Sequence, residues 1–273
     1  MYVGFNLELS NEIITEANKQ KGSSIFTEMK DKVQYQLDSY ISPDGSIDGT
    51  KMREDWFPQV EADVFISHSH KDEEKAIALA GWLHDKFGLK AFIDSCIWGY
   101  AGDLLKEIDK KYCWNDQSKT YNYNSRNYTT SHVHMMLASA LTMMMDKTEC
   151  IFFMNTPSSV KTEDVIHKTA SPWIYHELTM THLIQKKSPT QHRKDLVKGM
   201  YKYAESKQIN IIYDLNLGNL INLNTKDLQE WSSAHLQKTY ETLLKYKLET
   251  HPLDVLYEQK KATKTNGGSV LNG

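Results

Sequence analysis

Cysteine is scarce in this chain, and what there is does not pair by spacing. Cys96, Cys113 and Cys150 form an odd set with no C-x-x-C pair, which argues against both a disulfide framework and a zinc ribbon. Long apolar runs are missing too. No window approaches the roughly 20 residues that cross a bilayer, and the opening MYVGFNLELSNEIITEANKQ carries acids where a secretory signal needs an unbroken apolar stretch. The expectation is a cytoplasmic protein with no membrane partner. Nor is either charge in excess. A net charge of -3, with 25% charged and 40% hydrophobic residues, describes an ordinary globular chain and gives no electrostatic reason to expect nucleic acid as a partner. Neither G-x-G-x-x-G nor a P-loop occurs, so a bound dehydrogenase cofactor would lack its phosphate cradle.

What is present changes texture near residues 60, 110 and 188. Residues 1–60 read as helical, with Ile25, Phe26, Met29, Val33, Leu37 and Tyr40 at spacings of three and four. SPDGSIDG, 42–49, then supplies a linker of turn-forming residues. From residue 63 short apolar runs alternate with amphipathic helices, the pattern of a parallel sheet covered on both faces. DVFIS is the first strand. Ala76, Leu79, Ala80, Leu83 and Phe87 make a helical stripe ending at Gly88, and KAFID is the next strand, completing a βαβ unit.

SCIWGYAGDLLKEIDKKY, 95–112, predicts a glycine-bearing loop followed by a short helix, and the polar, Tyr- and Asn-rich stretch at about 110–130 predicts an inserted loop. Ser131 is a candidate cap for a helix through Met144, and ECIFFMN, 149–155, is the third strand. In TASPWIYHELTMTHLI, Ser171 stands as N-cap and Pro172 at the first helical position. INIIYDL, 209–215, predicts a fourth strand, residues 228–248 a closing helix, and residues 259–273 a disordered tail.

His68, His70 and Asp72 after an apolar strand match the start of a metallo-β-lactamase-like zinc site. The match stops at three residues, because Glu73 and Glu74 follow and a helix begins at once. His132 and His134 lie about 200° apart on a helix, poor geometry for one ion. The expectation is therefore no metal, with Ser69 or Asp72 capping the helix and a zinc hydrolase as the lower alternative.

Taken in order, DVFISHSHKDE, KAFIDSCIWGYAGD, ALTMMMDKTECIFFMNTPSSV and SPWIYHEL resemble the successive motifs of a bacterial Toll/interleukin-1 receptor (TIR) domain over residues 61 to about 190. The resemblance implies a flavodoxin-like α/β fold over 61–258, with residues 1–60 as an N-terminal helical extension. It implies a BB loop around Asp94–Gly99 and a cleft at the carboxyl ends of the strands, at Ser67–His70, Asp94–Trp98 and Asn155–Ser158. For enzymatic members it implies cleavage of the nicotinamide–ribose bond of NAD, with NAD as substrate and no resident cofactor, giving nicotinamide and ADP-ribose or a cyclic isomer. Glu177, in the W-x-x-x-E segment, is then catalytic, and Ser67, His68, Ser69, Asp94, Trp98, Asn155, Thr156 and Trp173 are the candidate NAD-binding residues. Asp94 either bonds a ribose hydroxyl or stabilises its own turn, and Trp98 either stacks on a base or packs structurally. Trp173 and Glu177, four residues apart, share a helical face.

The resemblance also implies antiphage signalling of the Thoeris kind, self-association through TIR surfaces and a downstream effector sensing the nucleotide product. Its non-catalytic alternative is a scaffold that only assembles.

Overall fold

The computed structural model describes residues 1–30, 37–41, 47–93, 95–163, 166–169, 171–193, 213–214, 217–246 and 250–260. In chain order these form β1 (Val3–Glu8), α1 (Glu16–Lys30), α2 (Gly49–Trp56), β2 (Val64–Ser67), α3 (Glu73–Phe87), β3 (Ala91–Ile93), α4 (Ser95–Tyr112), β4 (Trp114–Asn115), β5 (Thr120–Tyr121), α5 (Tyr123–Lys147) and β6 (Cys150–Met154). There follow β7 (Lys161–Glu163), β8 (Ile166–Thr169), α6 (Pro172–Leu183), α7 (Pro189–His192), β9 (Tyr213–Asp214), β10 (Ile221–Asn224), α8 (Thr225–Tyr246) and α9 (Pro252–Gln259).

Five strands make one parallel sheet in the order β10-β1-β6-β2-β3. Side chains alternate across it, as the pleat requires. Val64, Ile66, Ala91, Ile93, Cys150, Phe152 and Met154 pack with α3, α8 and α9 on one face. Phe65, Phe92 and Ile151 meet α2, α4 and α5 on the other, where Phe153 packs under α6 against Ile174 and Leu178. The expected α/β class, a parallel sheet flanked by helices, is what the chain adopts.

The βαβ unit at 64–93 follows the sequence closely. Gly88 closes α3 at φ 68, the left-handed region, with its N–H donating to the His84 carbonyl at 2.9 Å. Ser171 caps α6 by accepting from Ile174 N at 3.3 Å, with Pro172 first in the helix.

Four expectations are corrected. Residues 1–60 do not read as helix throughout: Val3–Glu8 is an inner strand of the sheet, held between β6 and β10. In a flavodoxin-like sheet, ordered 2-1-3-4-5, β2, β3 and β6 take the first three places, and β1 stands where the fourth strand would be. The glycine-bearing loop after β3 is instead the start of α4, whose Ala101, Leu104 and Ile108 form a buried stripe that repays helix formation through Gly99 and Gly102. The insertion at 110–130 is a hairpin, β4–β5, running into α5, which is capped by Asn122 rather than Ser131. This start is anchored by Asp109, itself buried, which accepts from Arg126 Nε at 2.8 Å and Thr129 Oγ1 at 2.7 Å.

The fourth correction concerns the last strand of the sheet, which is β10 at 221–224 rather than 209–215. Of the latter, Tyr213–Asp214 pairs antiparallel with β8 in a separate three-stranded sheet, and the remainder lies outside the described residues, as does the tail after Lys260.

Candidate active site at the strand ends

Two neighbouring strands fix the site. From β2 the chain crosses to β3 on one side and, after α4 and α5, returns to β6 on the other. The order of the sheet therefore reverses between β2 and β6, which is where open α/β sheets leave a crevice outside their carboxyl ends. Ser67 aligns with Phe153 in that pair, so Ser67–His68 and Asn155–Thr156 leave the sheet side by side.

Helix α6 lies over this end. Its buried side is Ile174, Glu177, Leu178 and Thr181, a stripe at spacings of three and four. Three of those positions meet apolar surface or bond locally, but Glu177 carries a carboxylate that is 1% exposed. Ser67 Oγ, itself fully buried, donates to Glu177 Oε2 at 2.5 Å. The bond joins residues 110 apart in sequence.

A second buried carboxylate closes the neighbouring loop. Asp72 is 3% exposed. Thr156 Oγ1 donates to its Oδ2 at 2.5 Å and Lys75 Nζ lies 2.7 Å from its Oδ1. Asp72 occupies the N-cap position of α3 but makes no side-chain cap bond, and Ser69 makes none either. The expected capping role is thus overturned, because the carboxylate is drawn across to the β6 loop. It still sits at the positive end of the α3 dipole. Thr156 and Ser159 complete that loop: Thr156 N donates to Ser159 Oγ at 2.9 Å, and Ser159 Oγ to the Met154 carbonyl at 2.8 Å.

The structure brings some predicted residues together and separates others. Ser67 meets Glu177, Thr156 meets Asp72, and Asn155 N extends the ladder by donating to the Leu7 carbonyl at 2.8 Å. His68 is buried, with Nδ1 3.5 Å from the Ile66 carbonyl, whereas the side chain of His70 is 84% exposed and pairs with Glu73 at 3.6 Å. The two histidines therefore do not converge. Ser69 is half-buried, its carbonyl accepting from Asp72 N at 2.7 Å. Trp173 packs against the α2–α4–α5 core, edge-to-face with His134 at 5.6 Å between ring centroids, and burial holds the His134 pKa below its ordinary value. Asp94 lies outside the described residues, as does the side chain of Trp98.

One group of potential metal ligands closes within 4.8 Å among the described residues: Glu149, His251 and Asp254. Arg193 holds that place. Its guanidinium donates to Glu149 at 2.8 and 3.0 Å and to Asp254 at 3.0 and 3.1 Å, and lies 2.9 Å from His251 Nδ1. These carboxylates raise the Arg193 pKa, against the burial that would lower it, while burial and the arginine's charge lower that of His251.

Sequence reasoning had no sign of the Ser67–Glu177 contact beyond the motif order, and it passed over Asn6, whose side chain reaches Asn222 at 3.0 Å on the α6 side of the sheet. The strict alternation Val3-Gly4-Phe5-Asn6-Leu7-Glu8 was the signal that pointed to it. Comparison of this chain with known family models, with curated proteins and with solved structures yields no match.

Proposed function

We propose that this protein cleaves the nicotinamide–ribose bond of NAD, with Glu177 as the catalytic carboxylate, as a TIR-type glycohydrolase or cyclase. The observation that carries this reading is the Glu177 carboxylate held by Ser67 Oγ at 2.5 Å where the sheet order reverses. The chemistry suits a fixed anion. As the bond from ribose C1′ to the ring nitrogen breaks, its electron pair goes to the departing nicotinamide, which becomes neutral, and positive charge develops at C1′ and the ring oxygen. A preorganised carboxylate in a water-poor site stabilises that charge far better than one in bulk solvent. Water then adds at C1′ and releases a proton, giving ADP-ribose; attack by the adenine ring gives a cyclic isomer instead.

The carboxylate is 1% exposed, so the groups around it must part before substrate enters. The family resemblance accounts for this through assembly, which completes the site in many enzymatic members. Antiphage signalling through the nucleotide product is the biological role the resemblance carries. Nicotinamide release from NAD, followed by chromatography and mass spectrometry at several protein concentrations, tests the reading. The wild type should release nicotinamide and Glu177→Ala none, with circular dichroism unchanged. Release by both, or by neither at any concentration, removes it.

The second reading is a non-catalytic scaffold. It draws on the exposed rings of Trp114, Tyr121, Tyr123 and Tyr128 on the hairpin and the start of α5, since exposed aromatics clustered this way characterise contact surfaces. It predicts untouched NAD and self-association weakened by Trp114→Ala.

A further inference from the structure

β1 carries a feature that neither catalysis by Glu177 nor the fold accounts for. Inner strands of parallel sheets are apolar on both faces as a rule. Phe5 and Leu7 obey it on one face. The opposite face reads Gly4, Asn6 and Glu8, without a single aliphatic side chain. On the neighbouring strand the aligned positions are Asn222, beside Asn6, and Asn224, beside Glu8. Two adjacent strands thus present three amides and a carboxylate in a square at the carboxyl end of the sheet, with Asn224 Oδ1 already accepting from Asp227 N at 3.0 Å at the start of α8 and its Nδ2 left to donate.

Asn6 is 8% exposed and its Oδ1 is buried without a hydrogen-bond partner, while Nδ2 donates to Asn222 Oδ1 at 3.0 Å. Reversing both amides moves the vacancy to Nδ2 and does not fill it. A buried amide atom left unpaired is destabilising, and such groups persist where function requires them. Glu8, Asn222 and Asn224 are all exposed. The strip therefore runs from solvent at the strand ends inward to an unpaired amide atom at its closed end.

We propose that this strip is a binding site for the vicinal diol of a ribose. The Glu8 carboxylate accepts from both hydroxyls, the Nδ2 groups of Asn222 and Asn224 donate to the hydroxyl oxygens and the ring oxygen, and the open position on Asn6 takes the innermost polar group. Carboxylate–diol pairing at a strand end is how doubly wound folds hold a ribose. The inference rests on the NAD reading in one respect: a dinucleotide has two riboses, and only one can lie at Glu177. Asn222, Asn6, Phe153 and Ser67 form one transverse row across four strands. Ser67 and Asn6 are therefore two strand spacings apart, about 10 Å, and Phe153 separates the strip from the Ser67–Glu177 contact.

Calorimetric titration of the full chain with AMP, ADP-ribose and 2′,3′-dideoxy-AMP tests the assignment. AMP and ADP-ribose should bind, and the dideoxy compound should bind at least about tenfold more weakly. Glu8→Gln should weaken the diol ligands roughly 10- to 100-fold and leave the dideoxy compound unchanged. Asn6→Ala should weaken them about 3- to 10-fold while leaving the melting temperature equal or higher, the signature of a group kept for binding. Wild-type affinity in both variants overturns the proposal, as does a wild type that binds no diol ligand. A lowered melting temperature with unchanged affinity in Asn6→Ala also overturns it, and assigns the open position to a structural water. Nicotinamide release separates the two readings. Diol binding lost in Glu8→Gln but no release from NAD sinks the cleavage reading alone, whereas release that depends on Glu177 but not on Glu8 or Asn6 sinks this one alone.

Discussion

Helices α1 and α3 touch backbone to backbone, and replacing Gly81 by alanine should wedge them apart. A Cβ at Gly81 would stand 2.0 Å from the Asn18 carbonyl oxygen and 2.7 Å from Gly22 N, both main-chain atoms of α1. Gly22 makes the reciprocal approach, its absent Cβ falling 1.9 Å from the Ile77 carbonyl oxygen. Main-chain atoms cannot swing aside as a side chain does. The helices must therefore separate by at least about 1 Å, and every apolar contact along their seam loosens with them. Overpacking of this kind costs typically 1–3 kcal/mol, and the rigidity of the obstacle places it at the upper end. Alanine returns up to about 1 kcal/mol as a better helix former. The net expectation is destabilisation by about 2 kcal/mol, read as a lower urea midpoint at unchanged m-value. Gly102→Ala in α4 is the internal control. Nothing lies within 4 Å of its Cβ position, so the same replacement should stabilise by up to about 1 kcal/mol. A Gly81→Ala protein as stable as the wild type would refute the reasoning.

Ser67→Ala should leave the fold intact but unhold the Glu177 carboxylate, lowering nicotinamide release by roughly one to two orders of magnitude at little change in KM; an unchanged kcat would show that Ser67 does not position the acid. Arg193→Met leaves the buried Glu149 carboxylate facing Asp254 without its cation, which should destabilise by about 3–5 kcal/mol in urea unfolding; a loss under 1 kcal/mol would mean that water already replaces the arginine. Acid should weaken the fold through histidine. Burial lowers the His192 pKa to about 4 and also lowers those of His176 and His251, whereas unfolded histidine titrates near 6.5. Between about pH 6.5 and 4 the unfolded chain binds protons that the folded one refuses, so stability is full above that window and falls as pH drops through it. Urea midpoints from pH 7.5 to 4.5 should show the decline, and His192→Gln should make it shallower; an equal slope in the variant would remove His192 from the account.

Where the sequence was legible, a local rule and the tertiary fold agreed. The stretch from Val64 to Ile93 combines a β-branched run, an amphipathic stripe and a glycine that must adopt positive φ, and each element stands where those rules put it. α6 starts at Ser171-Pro172 for equally local reasons. The misreadings came where long-range contacts decided. Asp109 holds Arg126 and Thr129 and so sustains α5 through Tyr, Asn and Thr residues of poor helix propensity. β1 alternates as a half-exposed strand does, yet it lies inside a parallel sheet, where continuous apolar runs are the usual mark. INIIYDL outscores INLN as a strand on composition, but the weaker segment forms β10, since Leu220 fills the space over Gly4 and Leu223 enters the main core. The site divides the same way: motif order singled out Ser67 and Glu177, while the Asn6–Asn222 and Asp72–Thr156 bonds became visible only once distant strands were aligned.

The place of β1 in the sheet has a consequence for how the chain is made. Residues 3–8 leave the ribosome before both of their hydrogen-bonding neighbours, β6 and β10, which come later by some 140 and 210 residues. At ordinary rates of translation the nearer partner arrives roughly 7–30 s after β1. Through that interval β2, α3 and β3 have all they need to form a local unit, while a strand bearing Val3, Phe5 and Leu7 waits with both edges open. Pairing so distant in sequence is slow to form once the chain is free, and an unpaired apolar strand in the meantime is an invitation to association.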